Sequence, residues 1–306
     1  MSSSPMRVAI IGYGHVAAVH ARQLARESGV QRVTVFGPNQ EKAWQFASKW
    51  GIPAIGSSLR EAVAQAEAAI VCSPSAMHFE QARECLGMGV HTLVEMPPCA
   101  RAAEARELGE AAQEHGVRVA CTHTSRYMAP YRHITESLRA GELGVVQQVS
   151  YIRHHRLLER TWRDDALLHH AAHPLDTLIA WFGGITPAGC VALPKVCGAE
   201  SVSLLGKLPN GAPADISITY ASRLPHVRML IVGDQHTVET DGFTYVRSDL
   251  EPLRLETPDV ETYERAIHDQ DMAFFGACRG SGAGVDWREA VKVMEAVNRF
   301  QELGAA

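Results

Sequence analysis

The sequence predicts an α/β chain of two domains. The first is a doubly wound parallel sheet; the second is an α+β domain with an open, mainly antiparallel sheet. Three observations carry this. Short apolar runs alternate with helical stretches of ten or more residues over positions 1–124. Glycines punctuate the step from the first strand into the first helix. Beyond Thr124 the rhythm changes to longer alternating stretches separated by Asn-Gly and Asp-Gly turns. A length of 306 residues agrees with two domains at roughly 150 residues each.

The elements follow in order. Arg7 to Ile11 is an apolar strand that breaks at Gly12, and Val16 to Ser28 reads as a helix. Arg32 to Phe36, Ile52 to Ile55, Ala69 to Cys72, His91 to Val94 and Val117 to Cys121 are further strands. Glu41 to Trp50, Leu59 to Glu67, Met77 to Met88 and Ala102 to His115 are the helices between them, several closed by glycine. Strands that stay apolar on both faces, joined by helices, form a parallel sheet covered on both sides. Right-handed crossovers make it doubly wound. In residues 125–306 one helix is expected from Pro130 to Ala140. Strands are expected at Val145 to Arg153, Ser201 to Leu208, Ala214 to Ser222, Val227 to Val232 and His236 to Thr240. Helices from Leu175 to Phe182, Tyr263 to Cys278 and Trp287 to Leu303 complete the domain, and Gly276 to Gly284 reads as a surface loop.

Composition excludes several function classes. Hydrophobic residues make up 46% and charged residues 21%, as in globular chains. The net charge of −5 offers no basic excess for nucleic acid or an anionic membrane surface. No apolar run approaches the ~18 residues of a membrane span, and the Ser-rich start carries no apolar signal region, so a cytoplasmic location is expected. Seven cysteines without a C-x-x-C pair read as reduced thiols. Fifteen histidines direct attention to His154-His155 and to His169, His170 and His173.

Gly12-Tyr13-Gly14-His15-Val16-Ala17 is a G-x-G-x-x-A signature between strand and helix. Gly12 permits the tight turn, Gly14 lets the backbone approach a pyrophosphate, and Ala17 permits close helix–strand packing. The helix N-terminus then offers free N–H groups to the phosphates. At the tip of the second strand, Phe36-Gly37-Pro38-Asn39 holds neither an acid for a ribose hydroxyl nor an arginine for a 2′-phosphate. Asn39 is the remaining ribose contact, so the cofactor is NAD or NADP.

From Arg7 to about Phe182 the chain resembles the glucose–fructose oxidoreductase / inositol dehydrogenase / MocA family. The residues that carry the resemblance are Gly12 to Ala17, Ser73-Pro74 with Met77-His78, and Val94-Glu95-Met96-Pro97. Arg126-Tyr127 with Pro130, Gly141-Glu142-Leu143-Gly144, Trp162-Arg163, and His173 with Asp176 continue it. The resemblance implies a Rossmann domain followed by an open-faced sheet domain often used for homo-oligomer contacts. It also implies a nicotinamide cofactor and a small polyol, sugar or nucleotide-sugar substrate. The sequence departs from the family where Glu-Lys-Pro becomes Glu95-Met96-Pro97. A thioether neither donates like an ammonium nor sets a neighbour's proton affinity. In the family's D-x-G-x-H-x-x-D pattern, the first aspartate is His169 and the glycine is Ala171, while His173 and Asp176 remain.

His173 is therefore the candidate acid/base for hydride transfer at a carbinol or carbonyl carbon, since imidazole titrates near neutrality. The other role open to it is capping a helix that starts at Pro174. Asp176 is expected to orient it or a substrate hydroxyl, or else to stabilise the helix dipole. His169 is expected to bond substrate. Ideal α-helical geometry brings His169, His173 and Asp176 within about 60° of one another, a face for a divalent metal, but Pro174 would disturb it. Metal is therefore not assigned. Glu95, at a strand terminus, is a site-lining candidate for cofactor and catalysis. Ser73, Pro74 and His78 are expected near the nicotinamide. His123, Arg126, Met96, His155 and Trp162 are expected on the substrate side. Two rivals stay open: a non-redox, metal-assisted lyase, hydrolase or cyclase using His169 and His173, and a non-catalytic dinucleotide-binding protein.

Overall fold

The computed structural model describes residues 4–156, 165–195, 198–249, 259–282, 284 and 286–305. The chain divides into two compact units, Met1–Thr122 with Ile267–Val291, and His123–Ala266 with Lys292–Ala306.

The first unit runs β1 (Met6–Ile11), α1 (His15–Leu24), β2 (Val30–Phe36), α2 (Gln40–Trp50), β3 (Ala54–Ile55) and α3 (Leu59–Val63). It continues through β4 (Ala68–Val71), α4 (His78–Gly87), β5 (His91–Val94), α5 (Ala102–Glu114) and β6 (Val119–Cys121). The six strands are parallel in the order β3-β2-β1-β4-β5-β6. That order reverses between β1 and β4, the switch point where such sheets bind ligands beyond their carboxyl ends. Successive side chains of β1 alternate faces. Val8 and Ile10 pack with Ala17, Ala21 and Leu24 of α1. Ala9 and Ile11 pack on the other face with Leu59, Val63 and Leu86. Each fully buried large side chain contributes roughly 1.5–3 kcal/mol. Asn39 starts α2 by accepting from the Lys42 N–H at 2.9 Å, and Gly51 ends it in the left-handed region at φ 64°.

The second unit opens with α6 (Ala129–Ala140), β7 (Val146–Arg156) and α7 (Ala172–Phe182). Then come β8 (Thr186–Lys195), β9 (Gly198–Lys207), β10 (Pro213–Thr219), β11 (Ala221–Gly233), β12 (Thr237–Thr240) and β13 (Val246–Ser248). The sheet order is β13-β12-β11-β7-β10-β9-β8, antiparallel except for the β7–β10 pair. α8 (Asp259–Cys278) and α9 (Trp287–Ala305) close the chain.

The structure departs from the sequence reading at four places. Residues Ile267–Val291, read as part of the second domain, group with the first unit. Phe274 and Phe275 join the core cluster beside β1, and the Trp287 Nε1–H donates to the Ala105 carbonyl at 2.7 Å. β8 and β13 were not anticipated. The loop expected at Gly276 begins later, because Gly276 to Cys278 still belong to α8. Pro174 does not open a helix: α7 starts at Ala172, and Ala166–Ala171 before it form a π-helical stretch. A proline cannot donate to the carbonyl four residues back and its ring crowds that carbonyl, so the wider spiral relieves the conflict.

Candidate functional site

The carboxyl end of β1 is built for close approach. Gly12 adopts φ +120°, and a Cβ there would lie 2.6 Å from the Cys72 carbonyl oxygen. Gly14 is the N-cap of α1, and a Cβ there would meet nothing within 4 Å. This open space lies directly before the free N–H groups of α1, as a pyrophosphate requires. A dinucleotide therefore fits these residues. His15 is exposed and Val16 half-buried in the first turn. The Tyr13 ring packs over Gly37, and its hydroxyl oxygen accepts from the Asn39 N–H at 3.3 Å. The Asn39 side-chain oxygen is taken up by the cap of α2. Arg32 donates through Nη1 to the Ala21 and Trp50 carbonyls at 3.0 and 2.5 Å, which commits it within the fold.

Ser73 donates to Gln81 Oε1 at 2.5 Å, and Pro74 begins the short turn leading into α4. His78, the first residue of α4, is buried. Its ring nitrogens lie 2.8 Å from the Pro97 carbonyl and 2.7 Å from the Ser73 carbonyl. Burial holds its pKa below the ordinary value against those two acceptors. It ties the turn after β4 to the turn after β5. Met96 is also buried, and its N–H donates to Thr122 Oγ1 at 3.1 Å.

Glu95 belongs to a connected buried set. Its Oε1 lies 3.0 Å from His20 Nε2, and its Oε2 accepts from Thr122 Oγ1 at 2.9 Å. His20 Nδ1 lies 2.7 Å from Asp271 Oδ2. The His20 and Asp271 side chains are fully enclosed, whereas Glu95 is 17% exposed. Burial alone would lower the His20 pKa, but the Asp271 and Glu95 carboxylates outweigh it and raise the value to about 10. Burial likewise works to raise the Glu95 pKa, and the His20 imidazolium with Thr122 brings it below the usual range. Asp271, enclosed and facing Glu95, stays above the usual range.

In the second unit Asp176 is buried on α7. It pairs with His123 Nδ1 at 2.7 Å and with both Nε and Nη2 of Arg126. Burial opposes ionisation, but His123 and the Arg126 guanidinium hold its carboxyl well below the usual range. His155 of β7 stacks on His170 with ring centroids 4.9 Å apart. Tyr220 meets both rings edge-on, and the His173 ring lies 6.4 Å from that of His170. His170 is pushed well below its ordinary pKa by burial, then by Arg153, His173, His155 and His169. His173 itself is half-buried in the first turn of α7. His169 sits in the π-helical stretch, whose start Asp165 caps by accepting from the Leu167 and Leu168 N–H groups. Trp162 lies outside the described residues.

Among the described residues, no three His, Cys, Asp or Glu side chains are grouped to hold a metal ion. Nor is any described helix long and apolar enough to cross a membrane. His20, Asp271 and Thr122 were not singled out in the sequence. The signal was there: Asp271 interrupts the apolar stripe of Ile267, Phe274 and Phe275 on α8. Its partner, however, is 251 residues away.

Residues 6–123 match the family described as an oxidoreductase family with an NAD-binding Rossmann fold. The chain is 30% identical over 291 residues to 4-carboxy-2-hydroxymuconate-6-semialdehyde dehydrogenase of Sphingobium sp., covering 90% of each chain. It is 26% identical over 240 residues to UDP-N-acetylglucosamine 3-dehydrogenase of Acidithiobacillus ferrooxidans, covering 77% of this chain and 74% of the relative. The solved structure of GenD2 from gentamicin A biosynthesis in complex with NAD shares the fold. Its TM-score is 0.87 at 19% identity, over 99% of this chain and 95% of that one.

Proposed function

The chain belongs to the glucose–fructose oxidoreductase / inositol dehydrogenase / MocA family of oxidoreductases with an NAD-binding Rossmann fold, and we propose that it is an NAD(P)-dependent dehydrogenase of a carboxylate-bearing aldehyde or its carbinol form. The observation that carries the substrate class is the group of Arg153, His155, His169, His170 and His173. The charges that act most strongly on His170 all come from guanidinium or imidazole groups. Arg153 supplies the fixed cation and the imidazoles supply N–H donors, a set that favours an anionic ligand over a neutral polyol. The relative that matches 90% of each chain is named for a carboxylated semialdehyde, which supports the same reading.

The dinucleotide, when bound at Gly12, Gly14 and the N-terminus of α1, supplies the hydride acceptor. The chain's own residues bind the substrate and handle the proton. Water added to the aldehyde carbonyl gives the hydrate, its carbinol form; His173 takes one of that hydrate's hydroxyl protons as the carbon-bound hydrogen leaves as hydride and the acid carbonyl forms, and the low proton affinity of the adjacent His170 leaves that neighbour neutral. Asp176 engages His123 Nδ1 and both Nε and Nη2 of Arg126, which holds these two side chains in fixed orientation. Met96 is neutral and buried, so no side chain at position 96 contributes a charge to this step.

The test is dinucleotide reduction, followed by absorbance, with a panel of carboxylated semialdehydes beside neutral sugars and polyols. Turnover of the anionic compounds is expected, and His173→Ala is expected to lower kcat by about 10²–10⁴ while leaving dinucleotide affinity unchanged. A His173→Ala enzyme as fast as wild type removes the assigned role. Turnover of neutral sugars alone overturns the substrate class.

A further inference from the structure

We infer that Asp271, His20 and Glu95 act as one proton-sharing anionic unit that makes the protein prefer the oxidised, positively charged dinucleotide and that loses this preference when the unit takes up a proton. The inference rests on the dinucleotide reading above and adds residues that reading does not use.

The sheet order fixes which part of the ligand the unit faces. The pyrophosphate belongs at the N-terminus of α1, and the adenosine half lies toward the tip of β2. β4 and β5 are on the other side of β1, so the redox half extends over their carboxyl ends. Glu95 stands at the end of β5 and is the one member of the unit with an exposed surface. His20 and Asp271 act through it and are positioning residues.

The charge follows from the hydrogen bonds. Both ring nitrogens of His20 face carboxylate oxygens, at 3.0 and 2.7 Å. Only the doubly protonated imidazolium can donate to both. One imidazolium between two carboxylates leaves one net negative charge, shared across the set. Among the described residues, the groups that act on it add no compensating charge. His78, from α4, is buried with its pKa lowered. The Cys72 thiol, just after β4, is raised well above its ordinary value by burial, then Glu95 and Asp271. Thr122, just after β6, is an uncharged hydroxyl that donates to Glu95 and accepts from the Met96 N–H, and Gln270 is the neutral neighbour of Asp271 on α8. An enclosed anion of this kind attracts a nearby cation far more than it would in water. The second proton goes to Asp271, whose carboxyl is held above the usual range by burial and by the facing Glu95, while Glu95 is held below it. The oxidised nicotinamide ring carries a positive charge and the reduced ring does not. Binding the oxidised form therefore opposes that second proton, and by linkage acid pH weakens the oxidised form selectively.

The experiment is calorimetric titration of the full chain with NAD⁺ and with NADH, in buffers of different ionisation enthalpy, between about pH 5 and 9. Binding of NAD⁺ is expected to release more protons than binding of NADH in the acidic part of that range. Glu95→Gln is expected to abolish the difference and to raise the ratio Kd(NAD⁺)/Kd(NADH) at the alkaline end by about tenfold. His20→Gln, which removes the cation between two acids, is expected to move the pH of the largest proton difference upward. Both oxidation states binding wild type with equal proton counts at every pH overturns this inference alone, whatever the variants do. Wild-type protein that binds neither form overturns the dinucleotide reading, and this inference with it.

Discussion

Alanine at Gly14 is expected to cost binding while leaving the fold nearly intact. The residue has φ −79° and ψ −170°, ordinary for any side chain, and a Cβ would meet nothing within 4 Å. The stability loss is therefore that of a poorer N-cap, about 0.5–1 kcal/mol, or a fall in Tm of about 1–4 °C. The new methyl group occupies the space through which a diphosphate reaches the first N–H groups of α1. Losing one charge-assisted hydrogen bond there costs about 1.5–3 kcal/mol, a ten- to hundredfold weaker Kd. Calorimetric titration with NAD⁺ and NADP⁺ beside a thermal melt measures both quantities on one sample. Affinity within about twofold of wild type, with the melt unchanged, would refute the assignment of this turn to the phosphates. Gly12→Ala inverts the pattern. At φ +120°, with Cys72 backbone atoms 2.6 and 2.8 Å from the added Cβ, its cost falls on the fold and exceeds about 2 kcal/mol.

Asp176→Ala leaves the Arg126 guanidinium without its counter-charge and His123 without its hydrogen-bond partner, and the urea midpoint should fall by the equivalent of about 3–5 kcal/mol. A loss under about 1 kcal/mol would show that the buried pair is not maintained in solution. Stability should also decline at alkaline pH. The folded His20 pKa, about 10, lies above its unfolded value near 6.5, so its contribution is complete below the latter and lost as pH rises through the former. Denaturant titrations from neutral to alkaline pH check this, and His20→Gln should flatten the decline. An equally steep decline in that variant would assign it to other groups.

The first unit was legible because its signals are local. Each strand of a covered parallel sheet is a short apolar run, and glycines or an Asn cap mark where helices start and stop, as at Asn39 and Gly51. β8 was missed because Pro187, Gly189 and Pro194 break the alternation; as the edge strand of its sheet it tolerates prolines that a central strand would not. The π-helical stretch before Pro174 was not readable either, since a 100° periodicity assumes an undistorted helix. In the candidate site, Gly12, Gly14 and Glu95 were singled out through their neighbours in sequence. His20 and Asp271 pair across most of the chain, so no local window contains the bond that gives either its charge. His78, expected near the nicotinamide, has both ring nitrogens engaged by backbone carbonyls of residues outside its own helix, which no local window shows.

The measurement closest to the central claim follows the hydrogen itself. A carboxylated semialdehyde carrying deuterium at its aldehyde carbon is turned over with oxidised dinucleotide, and both products are examined by mass spectrometry. The account predicts one deuterium on the nicotinamide ring for each acid formed. Deuterium kept in the organic product or washed into solvent, with the dinucleotide unchanged, would contradict it.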